Sequence, residues 1–189
     1  MGTGNVGEYL KPSKEDVATF LTADGGVTWK SVKKGEYMWE YGDQGSIIVI
    51  VKDNQKTNVV HYSLDDGASW EDYKFSEDEI MINDITTVPS DNARNFLLWG
   101  KKGSDLVTIN LDFTGLTDVK CKLDEKDVTG GDYYLWQPKH PKQDNDCFFG
   151  HISQYHRKRP DSKCYNGPMI PHLHDIANNC TCTRRDFEW

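Results

Sequence analysis

The chain has 189 residues, room for one or two domains, and its 37% hydrophobic and 12% aromatic content is enough for a packed core. Its net charge of −8, with no basic stripe to neutralise phosphates, argues against a nucleic-acid partner. No apolar run approaches the roughly 18 residues that cross a bilayer as a helix. The charge is unevenly placed. Residues 1–120 hold 12 Lys and Arg against 20 Asp and Glu, whereas residues 121–189 hold ten of each, all five cysteines and five of the six histidines. Two composition regimes meeting near residue 120 predict a domain boundary there, giving units 1–120 and 121–189.

Met1-Gly2-Thr3-Gly4 leads into ordinary sequence without a signal-peptide pattern. Gly-rich turns, Tyr9-Leu10 and Lys11-Pro12-Ser13 follow. Phe20-Leu21 then enters Thr22-Ala23-Asp24-Gly25-Gly26-Val27-Thr28-Trp29, which returns 41 residues later as Ser63-Leu64-Asp65-Asp66-Gly67-Ala68-Ser69-Trp70. Both copies read hydroxyl, any, Asp, any, Gly, any, hydroxyl, Trp. Each part has a physical job. Asp24 or Asp65 accepts backbone N–H bonds within a tight turn. Gly26 or Gly67 takes the positive φ such a turn requires. Trp29 or Trp70 opens the next strand and supplies a large apolar plate to bury. This is a hairpin turn that ties itself down, and a repeat near 40 residues predicts propeller blades. Turn chemistry accounts for both aspartates without a catalytic role.

Between and after the two turns the elements alternate as strands. Tyr37 to Tyr41 is an aromatic-rich strand and Gly42-Asp43-Gln44-Gly45 a turn. Ser46 to Val51, the most apolar stretch, is expected as a central strand buried on both faces. Asp53 to Lys56 reads as a loop, Asn58 to Ser63 as the strand into the second turn, and Trp70 to Phe75 as a half-buried edge strand. One full repeat thus runs from about Tyr37 to Phe75. The next is expected to begin at Asn83 and to continue through Asn95–Gly100 and Asp105–Leu111, with Lys101-Lys102-Gly103-Ser104 in place of the tied turn. Two or three blades do not close a ring. With an end at Asp186-Phe187-Glu188-Trp189 that carries no terminal device, a piece of a longer protein is expected.

From Cys121 strand patterns thin out and proline-bearing polar loops take over, with short ordered segments at Asp132–Trp136, Cys147–His151 and Cys180–Cys182. Such a segment needs cross-links or a neighbouring surface to fold. Cys121, Cys147, Cys164, Cys180 and Cys182 lack the paired C-x₂-C knuckles of a structural zinc site. Disulfides suit the spacing better than a site completed by His151, His156, His172 and His174, so no metal or cofactor is expected. An odd count leaves one thiol over. Asn179-Cys180-Thr181 is a glycosylation acceptor triplet.

The eight-residue turn resembles the Asp-box of sialidase propellers and of several propellers that are not enzymes. The second half carries a more specific likeness. The run His151 to Gly167, the pattern Cys180-Thr181-Cys182-Thr183-Arg184-Arg185-Asp186-Phe187, and Asp132–Trp136 with Cys147-Phe148-Phe149-Gly150 resemble the cysteine-rich module that follows the propeller in sortilin-type vacuolar protein sorting receptors, most closely the fungal members. Gly4-Asn5-Val6-Gly7 and Gly42-Asp43-Gln44-Gly45-Ser46 look like the last blades of that propeller. The resemblance covers nearly the whole chain. It implies an all-β fold: the last blades of a large Asp-box β-propeller followed by a small disulfide-stapled module. It further implies the pairings Cys121–Cys164 and Cys147–Cys180, with Cys182 bonded to a cysteine further on. Where the family has another cysteine after Asp-Phe-x, this sequence has Trp189.

As function, the resemblance implies a non-enzymatic lumenal receptor that binds soluble vacuolar hydrolases in the Golgi and releases them in an acidic compartment. His140, His151, His156, His172 and His174 are candidates for acid-triggered release, against the plainer reading of solvated surface histidines. A sialidase-like glycosidase is disfavoured, because that chemistry needs an arginine cluster and residues 1–150 contain only Arg94. A secreted interaction module is the remaining alternative.

Overall fold

The computed structural model describes residues 1–7, 16–88, 92–124, 126–127, 130–139, 142, 145–170 and 174–187. Nearly all regular structure is antiparallel β, arranged in four sheets. The first holds β1 (Gly2–Gly4), β2 (Ala18–Leu21) and β3 (Lys30–Lys34). The second is an antiparallel sheet in the order β4 (Tyr37–Gly42), β5 (Ile47–Lys52), β7 (Val59–Ser63) and β8 (Glu71–Lys74). The third holds β9 (Ile80–Thr86), β10 (Asn95–Lys102) and β11 (Asp105–Asp112), edged by the two-residue β6 (Lys56–Thr57). The fourth, in the cysteine-rich part, is β12 (Tyr133–Trp136), β13 (His151–Lys158) and β14 (His174–Asn179).

The first three sheets stack as blades, and β5 is the reason. Strand side chains alternate faces, so a five-residue apolar run can serve two neighbours. Ile47, Val49 and Val51 pack with Ile80, Ile82, Phe96 and Leu98 of the third sheet. Ile48 and Ile50 pack with Leu21, Val32 and Trp70 on the opposite side. Val49, Ile50 and Val51 are 0% exposed, the doubly buried strand that the apolar run predicts.

Four elements differ from the sequence reading. The edge strand β8, expected to be half-buried, is exposed at all four residues, with Tyr73 53% exposed. Lys56 is not in a loop: Lys56–Thr57 pairs with Met81 and Ile80 of the next sheet, a two-residue contact too short to show a period. The last repeat starts at Ile80 rather than Asn83. A bulge there sets Trp99 opposite Asp84 and Gly100 opposite Ile82, leaving Asn83 as the extra residue. The alternation therefore breaks between the buried Ile82 and Ile85. Gly100 is required at that point, because a Cβ would run into the Met81 carbonyl. Lastly, the cysteine-rich part has a real sheet. Its eight-residue β13 escapes pattern reading because the residues it buries, Ser153 and His156, are polar.

Candidate functional site

The two sequence-matched turns fold alike. In the first, Thr22 Oγ1 donates to Asp24 Oδ1 at 2.8 Å and accepts from the Gly26 N–H at 2.8 Å, while the Thr28 N–H and hydroxyl donate to the Asp24 carboxylate at 2.9 and 2.5 Å. In the second, Ser63, Asp65, Gly67 and Ser69 repeat these bonds at 2.8, 2.8, 2.9 and 2.6 Å. The bonds from Thr28 hold the Asp24 carboxyl below the ordinary aspartate value. For Asp65 partial burial pushes upward, but the bonds from Ser69 and Ser63 outweigh it and the net shift is again down. Both carboxylates are occupied by their own turns. The tryptophans part company. Trp70 packs into the core with Leu21, whereas Trp29 is 51% exposed, lying over Gly2 and bonded from Nε1 to the Gly26 carbonyl at 3.0 Å. The buried plate expected at Trp29 is therefore formed only at Trp70.

The blade turns are where the cysteine-rich part is seated. Gly42 to Gly45 closes the β4–β5 hairpin with Asp43 and Gln44 both at positive φ, 49° and 60°, and the Gly45 N–H bonded to the Gly42 carbonyl. The register pairs Gly42 with Ile47, so Asp43 to Ser46 form a four-residue loop in which two non-glycine residues take the left-handed region. It sets the Asp43 carboxylate, 1% exposed, towards the loop after Cys164. Oδ2 accepts the Asn166 N–H and Oδ1 the Gly167 N–H, each at 2.8 Å; Ser46 Oγ also donates to Oδ2. The Asn166 side-chain amide donates to the Asp43 carbonyl at 2.8 Å and accepts from the Tyr133 hydroxyl at 2.8 Å. Burial, then the charges of Asp43 and Asp132, push the Tyr133 phenol up to about 12, so it stays a donor.

A second clamp reaches both tied turns at once. Arg157 of β13 donates Nη1 to the Ala23 carbonyl at 2.6 Å and Nη2 to Asp66 Oδ2 at 2.9 Å, and its guanidinium lies 5.2 Å from the Trp136 ring centre. A third runs through Arg94, which donates to the Thr114 and Thr117 carbonyls and stacks 4.0 Å from the Tyr165 ring centre. Beside these clamps a cleft of about 460 Å³ opens between the second tied turn and the 158–165 loop, lined by Leu64, Tyr62, Arg94, Lys158 and Tyr165.

Cys121 is bonded to Cys164 and Cys147 to Cys180; Cys182 is a free, exposed thiol. Cys121 and Cys164 are buried beside Tyr133, and Cys164 lies two residues before Asn166, so this bridge holds the loop that grips Asp43. Asn179 ends β14 opposite His151 and is exposed. Of the five histidines singled out by clustering, His156 is buried and His151 half-buried, the β14 backbone at His174 pairs with Tyr155, and His140 and His172 lie outside the described residues. The reading missed His61, buried at 9% exposure between the first two sheets, and Arg157, whose two acceptors lie far away in sequence. Neither has a local signal.

Stacked blades whose turns clamp a disulfide-stapled module define a protein of the propeller-plus-cysteine-rich class. Residues 1–85 match the family described as sortilin, neurotensin receptor 3, and residues 87–189 match its C-terminal family; the division between them falls at Thr86, the last residue of β9, inside the third sheet. The chain belongs to the sortilin–Vps10 family. It is 54% identical to the vacuolar protein sorting/targeting protein 10 of Aspergillus clavatus, 57% to that of Neosartorya fischeri and 56% to that of Ajellomyces capsulatus, in each case over 100% of this chain and 13% of the relative. The chain thus spans about an eighth of the length of these relatives.

Proposed function

We propose that this chain is a lumenal ligand-binding segment of a sorting receptor that carries soluble hydrolases from the Golgi to the vacuole or endosome. In this reading residues 1–120 are propeller blades and residues 121–189 a cysteine-rich module seated on them. The observation that carries it is agreement along the whole chain with proteins named for vacuolar sorting and targeting, at 54 to 57% identity in the three relatives above. The physics is consistent with a binding surface. The polar groups at the seam are used to hold two parts of one chain in a fixed relation, as a pre-organised protein-binding surface requires. Two disulfides suit an oxidising lumen. Cys182 bonds in this reading to a cysteine outside residues 1–189, and Asn179, exposed beside the Cys147–Cys180 bridge, is the glycan acceptor.

The test is a segment exchange. The matching segment of the Aspergillus clavatus relative is replaced by this chain, and secretion of a soluble vacuolar carboxypeptidase precursor is measured in a strain lacking its own receptor. The exchanged receptor is expected to retain the precursor inside the cell. Secretion at the level of the receptor-less strain, with the exchanged protein folded and correctly located, would refute the proposal.

A further inference from the structure

His61 lies in β7 at the seam between the first and second sheets. Its Nδ1 is 2.9 Å from Nζ of Lys33 in β3 and 2.5 Å from Oδ1 of Asp72 in β8, and Lys33 and Asp72 are 3.7 Å apart. Tyr37 of β4 stands edge-on to the ring with centroids 5.6 Å apart, and Lys52 of β5 adds a positive charge within electrostatic reach. Among the described residues these are the charged and titratable groups that face the imidazole.

One ring nitrogen cannot serve both close neighbours. An ammonium offers only N–H, so Lys33 needs a bare Nδ1; a carboxylate offers only lone pairs, so Asp72 needs Nδ1–H. The two bonds also join different things. Lys33 to His61 ties the first sheet to the second, whereas His61 and Asp72 are register partners on adjacent strands of one sheet.

We propose that His61 is a proton-operated exchange point in the blade seam: as neutral imidazole it accepts from Lys33 and ties the two sheets, and as imidazolium it donates Nδ1–H to Asp72 and releases Lys33. The proton comes from solvent onto Nδ1, Nε2 keeps its hydrogen throughout, and no covalent bond other than that N–H changes. Lys33 is then left with the exposed Asp72 carboxylate alone, a solvent-screened pair that holds little. Burial is the largest influence on the ring and keeps its protonation below the ordinary imidazole range. Asp72 works against burial, while Lys33 and Lys52 work with it. The folded ring therefore takes its proton at lower pH than the unfolded one. The seam's contribution is whole above the ordinary imidazole value and is lost as pH falls from there through the folded value.

The test is nitrogen-15 NMR of the full 189-residue chain labelled in histidine, from about pH 7.5 to about pH 5, with amide exchange read in parallel. Nδ1 of His61 is expected bare at the upper end and protonated at the lower. The midpoint should move up in Lys33→Met, a partly exposed position whose substitution leaves the core intact. Exchange of the β3 amides, corrected for intrinsic rate, should accelerate about tenfold on acidification in the parent chain and stay level in Lys33→Met. An Nδ1 already protonated at the upper end, or a midpoint and β3 exchange indifferent to Lys33→Met, overturns the proposal.

Discussion

Asn166 and Asp43, 123 residues apart, are joined twice: the Asn166 N–H donates to the Asp43 carboxylate and its side-chain amide to the Asp43 carbonyl, both at 2.8 Å. With the Gly167 N–H on the other carboxylate oxygen, the hairpin tip fills the donors of the cysteine-rich loop. Removing the carboxylate leaves two buried N–H groups unpartnered. Asp43→Ala is therefore expected to destabilise the chain by roughly 2–4 kcal/mol, because charge-assisted bonds are lost and their donors stranded. Asp43→Asn keeps one acceptor oxygen and tolerates positive φ, so it should lose less. Denaturant unfolding of the two variants checks the order.

The two tied turns respond differently to the same change. Gly67 has φ 73°, and a Cβ there would run into Leu21 Cδ2, whereas Gly26, at φ 97°, faces only Trp29 at 4.0 Å. Gly26→Ala should lose about 1–2 kcal/mol from the backbone alone. Gly67→Ala adds overpacking against the core and should lose about 1–3 kcal/mol more. Thermal unfolding separates them.

Acid stability should fall in two windows. Asp24 and Asp65 have lowered carboxyl values in the folded chain, so their contribution is complete above the ordinary aspartate value and drains away as pH falls through the folded one. His61 acts earlier, below the ordinary imidazole value. The double variant Asp24→Ala with Asp65→Ala should flatten only the lower window, and His61→Gln only the upper, in melting temperatures recorded against pH.

Reduction should be ordered. The Cys121–Cys164 bridge is buried at 8% and 5% exposure, while Cys147 and Cys180 are both partly accessible. A mild reductant should open Cys147–Cys180 first, since thiolate attack needs access. Without reductant only Cys182 should alkylate. Loss of the buried bridge, which closes a 43-residue separation, should cost about 4 kcal/mol. Timed alkylation with peptide mass spectrometry follows each step.

The blades were legible because their information is local. Ile47 to Val51 is an unbroken run of five apolar residues, and the tied turns close through bonds no more than four residues long. The seat was not. Gly42 to Gly45 reads as a turn in any sequence, and nothing near Asp43 announces Asn166. Arg157 likewise meets Ala23 and Asp66 across separations of 134 and 91 residues. The cysteine spacing left the pairing open, and only the family likeness implied a set of partners. His61 is the single histidine in residues 1–120 and its neighbours come from β3 and β8, so no local pattern marks it.

The cysteine-rich part is seated on the blades through Asp43. Hydrogen–deuterium exchange at the amides of Asn166 and Gly167 tests it most directly. They should rank with the slowest amides after residue 120, and in Asp43→Ala their protection should collapse while that of Ile48 to Val51 persists. Fast exchange at both amides in the parent chain, or protection untouched by Asp43→Ala, would contradict the claim.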